Sequence, residues 1–313
     1  FIREHMEDDV VQLVLHASRY KEVDVRFAVE QIVARRQIKE KLPVWYADDR
    51  LIYPSSLATE QCSSEQTALY KQRLVDGEDI VCDLTGGLGA DSYFLSLKVS
   101  RLIYVERNAS YCDVAAYNME QLGVRNIQIL DDNAVALLIE RPEKLSGVNV
   151  FYMDPARRGA GNRRVFALED CEPDLNELWP LLCRSKCKVI AKLSPMLDIR
   201  RLLLQLPGIR EVHVVSVRND CKELLLVADL SCVPDDSKND DVVPNSLLNS
   251  PGSDDELDVQ VHCVNFTTSG EEQSFQFSYG EEKTTVATFA GEVGRYLYEP
   301  NASILKAGAY TTV

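Results

Sequence analysis

The spacing of apolar residues divides the chain near residue 76. In residues 1–75 apolar positions recur at intervals of three and four, as at Val29 and Ile32, and this period is typical of helices with one buried face. Pro43 and Pro54 interrupt the pattern, because proline lacks a backbone donor and restricts the residue before it. We predict a helical N-terminal region over residues 1–75.

From residue 76 onward, short apolar runs alternate with longer amphipathic stretches, a pattern typical of strands connected by helices. The predicted strands are Ile80–Leu84, Leu102–Glu106, Ile127–Leu130, Val148–Asp154, Lys188–Lys192, Glu211–Val217 and Glu223–Asp229. Only the turn Arg218–Lys222 separates the last two. Strand–helix units followed by one tight hairpin predict a Rossmann-like α/β fold over residues 76–230, with a mostly parallel sheet and an antiparallel edge hairpin.

Composition changes again after residue 230. Residues 231–258 are rich in Asp, Ser, Asn and Pro, and they include eight acidic residues but only one lysine. Such a composition predicts an acidic linker or a disordered insertion. Beyond it, Val259–Phe266 and Gln273–Tyr279 alternate as strands, and Thr288–Leu305 has a helical pattern broken near Pro300. We predict a small α+β module over residues 259–313.

Composition narrows the possible locations and partners. No apolar run approaches the ~18 residues of a membrane span. The nine cysteines form no C-x-x-C pair and the four histidines are scattered, so we predict a cytoplasmic protein with reduced thiols and no metal site. The net charge of −15 disfavours nucleic acid, yet nearly half of it lies in residues 231–258. A basic cluster at Arg157, Arg158, Arg163 and Arg164 keeps an RNA partner possible.

A glycine-rich segment directly follows the first predicted strand. It reads Asp83-Leu84-Thr85-Gly86-Gly87-Leu88-Gly89, and glycines there let the backbone turn tightly beneath a ligand. The next strand ends at Glu106, about twenty residues later, where one carboxylate can accept both hydroxyls of a ribose. The candidate cofactor-binding residues are Asp83, Thr85, Gly86, Gly87, Gly89 and Glu106. These features favour an adenosine-containing cofactor without separating S-adenosylmethionine (SAM) from NAD.

Two later segments favour SAM. Asp132, or else Asp131, follows the third strand at the place of a ligand for the adenine amino group, although helix capping by either residue is an alternative. After the fourth strand comes Asp154-Pro155-Ala156-Arg157, which is similar to the Asp-Pro-Pro-Tyr signature of nucleic-acid methyltransferases. That signature lies beside the transferable methyl group, and NAD dehydrogenases have no such element.

Several segments, in order, extend this resemblance along most of the chain. They are Glu60–Thr67, Asp83–Gly87, Tyr104–Arg107, Met153–Arg158, Lys192–Asp198, Cys221–Val227 and Tyr298–Ala309. The sequence resembles a family of bacterial class I methyltransferases that carry a ferredoxin-like module and a C-terminal THUMP-like domain. The resemblance implies SAM binding and a ferredoxin-like module at residues 259–313. It also leads us to expect a fragment, with the THUMP-like domain lying beyond Val313.

The resemblance also suggests roles for residues around the transferred methyl group. Asp154, with Pro155, would accept a hydrogen bond from an exocyclic amine. Arg157 would stack on a base or bind phosphate, or instead anchor its loop by an ion pair. Lys192 would face the substrate or form a structural ion pair. Ser63 and Thr67 would cover the methionine end of SAM, whereas helix capping near Ser63 is an alternative.

The cysteine positions bear on the methylated atom. Methylation at C5 of a pyrimidine needs a nucleophilic cysteine, but Lys192-Leu193-Ser194-Pro195 follows the fifth strand, and buried packing is the better interpretation of Cys171, Cys183 and Cys187. We therefore predict N-methylation of an RNA base. A protein or small-molecule methyltransferase, and a non-catalytic RNA-binding protein with a SAM fold, are the alternatives.

Overall fold

The computed structural model describes residues 1–157, 168–233, 259–287, 289, 291–292 and 294–313. The chain forms two compact units, Phe1–Val148 and Asn149–Val313. Most of the predicted acidic linker and three arginines of the basic cluster (Arg158, Arg163 and Arg164) lie outside the described residues. Among the described residues, none of the helices combines the length and the apolar character needed to cross a bilayer.

The first unit begins with five helices, which confirm the helical N-terminal region. They are α1 (Val10–Leu15), α2 (Val25–Lys41), α3 (Pro43–Ala47), α4 (Ser56–Gln61) and α5 (Glu65–Lys71). Asp9 and Asp24 begin α1 and α2 by accepting backbone N–H groups of the first turn. Pro43 is the first residue of α3, where a helix needs no donor.

Three parallel strands follow in the first unit. They are β1 (Ile80–Asp83), β2 (Arg101–Glu106) and β3 (Ile127–Asp131), connected by α6 (Ala90–Ser96) and α7 (Ala109–Gln121) and followed by α8 (Ala134–Glu140). β1 pairs with β2, and β2 with β3. Parallel pairing places the carboxyl ends of the three strands at one edge. Trp45 of α3 packs against Tyr93 of α6, so the N-terminal helices share a core with the strand–helix units.

Among its described residues, the second unit contains eight strands and four helices. The strands are β4 (Val150–Met153), β5 (Ala156–Arg157), β6 (Cys171–Glu172), β7 (Lys188–Leu193), β8 (Ile209–Val217), β9 (Asp220–Asp229), β10 (Gln260–Phe266) and β11 (Glu272–Ser278). The helices are α9 (Leu175–Ser185), α10 (Ile199–Gln205), α11 (Tyr279–Thr284) and α12 (Ala302–Ala307). Within this unit the strand order is β4-β7-β9-β8-β10-β11, and β5 pairs with β6 separately.

The predicted hairpin is β8–β9, and its turn uses left-handed backbone at Arg218 and Asn219. β10 secures the turn, because the Arg218 N–H donates to the Phe266 carbonyl and the Asn219 N–H donates to Asn265 Oδ1. β10 also pairs with β8 in parallel, so the strands after residue 258 extend the sheet beyond the hairpin. The sequence pattern predicts those strands in a small module of their own, whereas the pairing with β8 makes them part of this sheet.

The helix predicted for Thr288–Leu305 is wrong over much of its described length. Residues 294–301 are not helical, and α12 begins only at Ala302. Asn301 fixes this start, since its side chain accepts the N–H groups of Ser303 and Ile304. The preceding Pro300 disfavours helical geometry at the residue before it. The helix ends at Gly308, whose φ of 78° is left-handed.

Candidate functional site

The glycine loop, Leu84–Gly89, connects β1 to α6 in the first unit. Gly86 donates its N–H to the Val105 carbonyl at 2.8 Å, which holds the loop against β2. A Cβ at Gly86 would lie 2.2 Å from Tyr104 Cε2, so no larger residue fits in this backbone position. Gly87 and Gly89 have φ values of +53° and +86°, which favour glycine for a different reason. The predicted glycines are therefore structurally required in this loop.

Asp83 organises the start of the glycine loop from a buried position. Its Oδ1 accepts the Thr85 N–H at 3.0 Å, and its Oδ2 accepts the Ser92 hydroxyl at 2.5 Å. The Thr85 hydroxyl lies 3.4 Å from Asp83 Oδ1, so this side chain is accommodated beside the same carboxylate. Asp83 thereby connects the loop to the first turn of α6.

Glu106 lies directly against the glycine loop at the end of β2. Its Oε2 accepts the Gly87 N–H at 3.0 Å and its Oε1 accepts the Asn108 N–H at 2.8 Å. Tyr104 donates its hydroxyl to the Gly87 carbonyl at 2.7 Å, and burial raises the pKa of Tyr104, so the phenol keeps the proton it donates. The structure thus brings Glu106 and Gly87 together.

Asp132 follows β3 and is buried. Its carboxylate belongs to an ionic network that the sequence pattern does not predict. Arg141 Nη2 lies 2.8 Å from its Oδ1, and Lys144 Nζ lies 3.4 Å from its Oδ2. Its backbone N–H donates to the Glu106 carbonyl at 3.0 Å. Asn133 caps α8, so the capping alternative for Asp132 and Asp131 is wrong. Asp131 itself is exposed.

Ser63 and Thr67 lie near the start of α5, which Ser64 caps. The Ser63 hydroxyl donates to Asp91 Oδ2 at 2.7 Å and accepts from Lys71 Nζ at 3.1 Å. The Thr67 hydroxyl donates to the Ser64 carbonyl at 3.2 Å. Helix capping is thus present, while the two predicted SAM contacts remain predictions.

Lys71 and Asp91 form a buried ion pair that the sequence analysis missed. Lys71 Nζ lies 3.1 Å from Asp91 Oδ1, and the Lys71 side chain is fully buried. Asp91 belongs to the first turn of α6, directly after the glycine loop. The ion pair and Ser63 therefore connect the residues just before α5 to α6, the helix that follows the glycine loop.

Asp154 and Lys192 meet in the second unit. Asp154 follows β4, Lys192 is on the adjacent parallel strand β7, and the register pairs Met153 with Ala191. Lys192 Nζ lies 2.5 Å from Asp154 Oδ2, which confirms the ion pair named as the alternative for Lys192. The Lys192 side chain is 12% exposed and that of Asp154 is 35% exposed, so the Asp154 side chain is partly open to solvent.

The segment after Asp154 is fixed by a short strand pairing. Pro155 is buried, and β5 pairs antiparallel with β6, so that Ala156 lies opposite Glu172 and Arg157 opposite Cys171. Cys171, distant from Asp154 in sequence, is thus the cysteine that this pairing brings to the Asp-Pro-Ala-Arg segment. It is buried. No sequence pattern predicts this contact, because two-residue strands are too short to show alternation.

Comparison with known structures identifies the family. One crystal structure, "putative methyltransferase from Porphyromonas gingivalis W83", is 30% identical over 99% of this chain and 71% of that chain, with a TM-score of 0.79. The chain belongs to this family of class I methyltransferases. Its α/β fold, with a mostly parallel sheet and a helical N-terminus, is the one predicted.

Other comparisons add little to this methyltransferase assignment. An rRNA methylase from Streptococcus thermophilus is 12% identical over 52% of this chain and 93% of that chain, but its TM-score of 0.37 is too low to support an argument. No family model and no curated protein matches the sequence.

Proposed function

We propose that this methyltransferase binds SAM through the glycine loop, Glu106 and Asp132, and methylates a nitrogen of an RNA base. The contact between the Glu106 carboxylate and the Gly87 N–H supports the cofactor assignment most directly. It couples the acid at the end of β2 to the loop after β1, and these are the two elements that bind an adenosine cofactor in Rossmann-like folds.

The side chains present fit the cofactor chemically. Each Glu106 oxygen accepts one backbone N–H and retains capacity for a second hydrogen bond, which a ribose diol can supply. Asp132 provides a carboxylate beside the same strand edge, and its backbone is already bonded to Glu106. When bound, the cofactor supplies an electrophilic methyl group on a sulfonium.

Replacing Glu106 with glutamine should raise the Kd for SAM by roughly 10- to 100-fold, because hydrogen bonds to a charged group contribute about 1.5–3 kcal/mol. The variant loses the charge and places an amide donor beside the Gly87 or Asn108 N–H. Isothermal titration with SAM measures the change, and Glu120→Gln, an exposed glutamate of α7, is the matched control. If Glu106→Gln and the control bind SAM with equal affinity, Glu106 does not belong to the SAM site.

Asp154 is the proposed acceptor for the substrate amine. Methyl transfer is an in-line displacement, so much of its acceleration comes from positioning. The Asp154 carboxylate accepts a hydrogen bond from the amine, and Lys192 holds that carboxylate in one orientation. As the N–CH3 bond forms and the S–CH3 bond breaks, the amine releases one proton to Asp154 or to water. The exposed part of Asp154 leaves room for this contact.

Nitrogen is favoured over pyrimidine C5 because no cysteine follows Lys192 on β7 and Cys171 is buried. RNA is favoured by the resemblance to the THUMP-containing family and by the arginines that begin at Arg157. The described part of that cluster is Arg157 alone, at the β5–β6 pairing. Both choices are tested by identifying the methylated product.

Methyl transfer from labelled SAM to unmodified bacterial RNA, run beside a bacterial protein fraction, tests the proposed function. We expect label in RNA, and about 10- to 100-fold slower transfer by Asp154→Asn, which loses one charge-assisted hydrogen bond. Asp113→Asn, an exposed change in α7, should transfer normally. Nucleoside digestion then identifies the methylated atom. If label is found only in the protein fraction, the substrate is protein and the RNA proposal is wrong. If SAM binds but no label is transferred, the proposed methyl transfer is contradicted.

A further inference from the structure

Strand register brings together two histidines and a glutamate that lie far from the glycine loop in sequence. Glu211 and His213 are two residues apart on β8 and therefore face the same side of the sheet. β10 pairs in parallel with β8, with His262 opposite His213. Their imidazole rings stack with centroids 4.4 Å apart and an interplanar angle of 7°. Residues separated by 49 positions thus form one cluster.

The nitrogen atoms of this cluster converge on one oxygen. His213 Nε2 lies 2.9 Å and His262 Nε2 lies 3.7 Å from Glu211 Oε2. All three side chains offer ligand atoms within 4.8 Å of one another. Tetrahedral zinc with bonds of about 2.0–2.1 Å holds its ligand atoms about 3.4 Å apart. The two distances bracket that value, so small side-chain rotations would complete the coordination.

The surroundings of the cluster suit a bound cation. The His213 side chain is 5% exposed, that of His262 is 25% exposed and that of Glu211 is 40% exposed. One side of the cluster is therefore packed and fixed, while the carboxylate side is open to solvent. On β9, the register neighbours of His213 and Glu211 are the buried apolar residues Leu225 and Val227.

We infer that Glu211, His213 and His262 form a binding site for a divalent cation of the zinc class. Two imidazoles and one carboxylate are a ligand set that zinc accepts, with a fourth position left for water. The metal would cross-link β8 and β10, and would thereby hold β10 against the β8–β9 hairpin. Lys188 on β7 also attracts Glu211, and the cation must compete with that charge. The three proposed metal ligands are different from the residues assigned above to SAM and to the methylated substrate.

Zinc and cobalt titrations of the untagged, reduced full chain test the site. After dialysis we expect one tightly held zinc per chain, measured by elemental analysis. Glu211→Gln and His262→Gln should each lower zinc affinity roughly 100-fold, since even loss of an outer-shell partner costs about 10- to 100-fold. His16→Gln replaces a histidine of the first unit and should bind zinc normally. Glu211 is the more exposed ligand, so its variant should fold even if the His262 variant does not.

Cobalt distinguishes this site from the nine thiols of the chain. Binding at two imidazoles and a carboxylate gives visible d–d absorption without a sulfur-to-metal charge-transfer band, and zinc binding should raise the Tm of the wild type but not of Glu211→Gln. A charge-transfer band would place the metal on cysteine and overturn the inference. Unchanged zinc affinity in both ligand variants, or no stoichiometric binding by the wild type, would overturn it as well.

Discussion

Replacing Lys71 with methionine should lower the free energy of unfolding by about 3–5 kcal/mol, the usual cost of breaking a buried ion pair by removing one partner. The Lys71 ammonium is fully buried and reaches Asp91 Oδ1 at 3.1 Å and Ser63 Oγ at 3.1 Å. Without it, the nearly buried Asp91 carboxylate loses its opposite charge. Methionine keeps most of the side-chain volume, so the loss reports the charge rather than a cavity.

Urea unfolding, followed by far-UV circular dichroism, measures the change. Lys21→Met is the matched control, because Lys21 is exposed. The double variant Lys71→Met with Asp91→Asn should recover part of the stability, since it removes the buried Asp91 charge as well. A midpoint for Lys71→Met equal to that of Lys21→Met would show that the pair does not stabilise the unit. If the double variant is less stable than Lys71→Met, the loss of stability in Lys71→Met comes from packing and not from the charge.

Local patterns predicted the strands well, because each strand is a short apolar run with its own boundaries. The nine predicted strands all occur, and β9 begins three residues earlier than predicted. The glycine loop and Glu106 were predicted because their spacing follows from one strand–helix unit. The same local rules failed at residues 294–300. Tyr296, Leu297 and Tyr298 contribute to a helical pattern, yet they are 65%, 95% and 84% exposed and belong to no helix or strand.

Contacts between distant segments could not be predicted in this way. The Lys71–Asp91 pair depends on how α5 docks on α6, and no periodicity within either helix contains that information. The stacking of His213 on His262 depends on the register of β10 against β8, and a shift of one residue would place the rings on opposite faces. The Asp154–Lys192 pair was partly foreseeable, because both residues were expected at the ends of strands.

Gly86→Ala should destabilise the protein by about 3 kcal/mol, the upper range for overpacking a rigid site. The new Cβ would lie 2.2 Å from Tyr104 Cε2. Tyr104 is fully buried and its hydroxyl is bonded to the Gly87 carbonyl, so the ring cannot swing away without breaking that bond. The loop has to move instead, which disturbs the Gly87–Glu106 contact. The proposed SAM affinity should therefore fall together with the stability.

Thermal unfolding and SAM titration of the same Gly86→Ala preparation separate these two effects. Gly77→Ala is the matched control, since its Cβ would meet only the Lys98 carbonyl at an ordinary 3.8 Å. A Tyr104→Leu background removes the ring, so Gly86→Ala should cost less there than in the wild type. Equal costs in the two backgrounds would contradict the clash with Tyr104. If stability falls while SAM affinity is unchanged, the loop is required for folding but does not contact the cofactor.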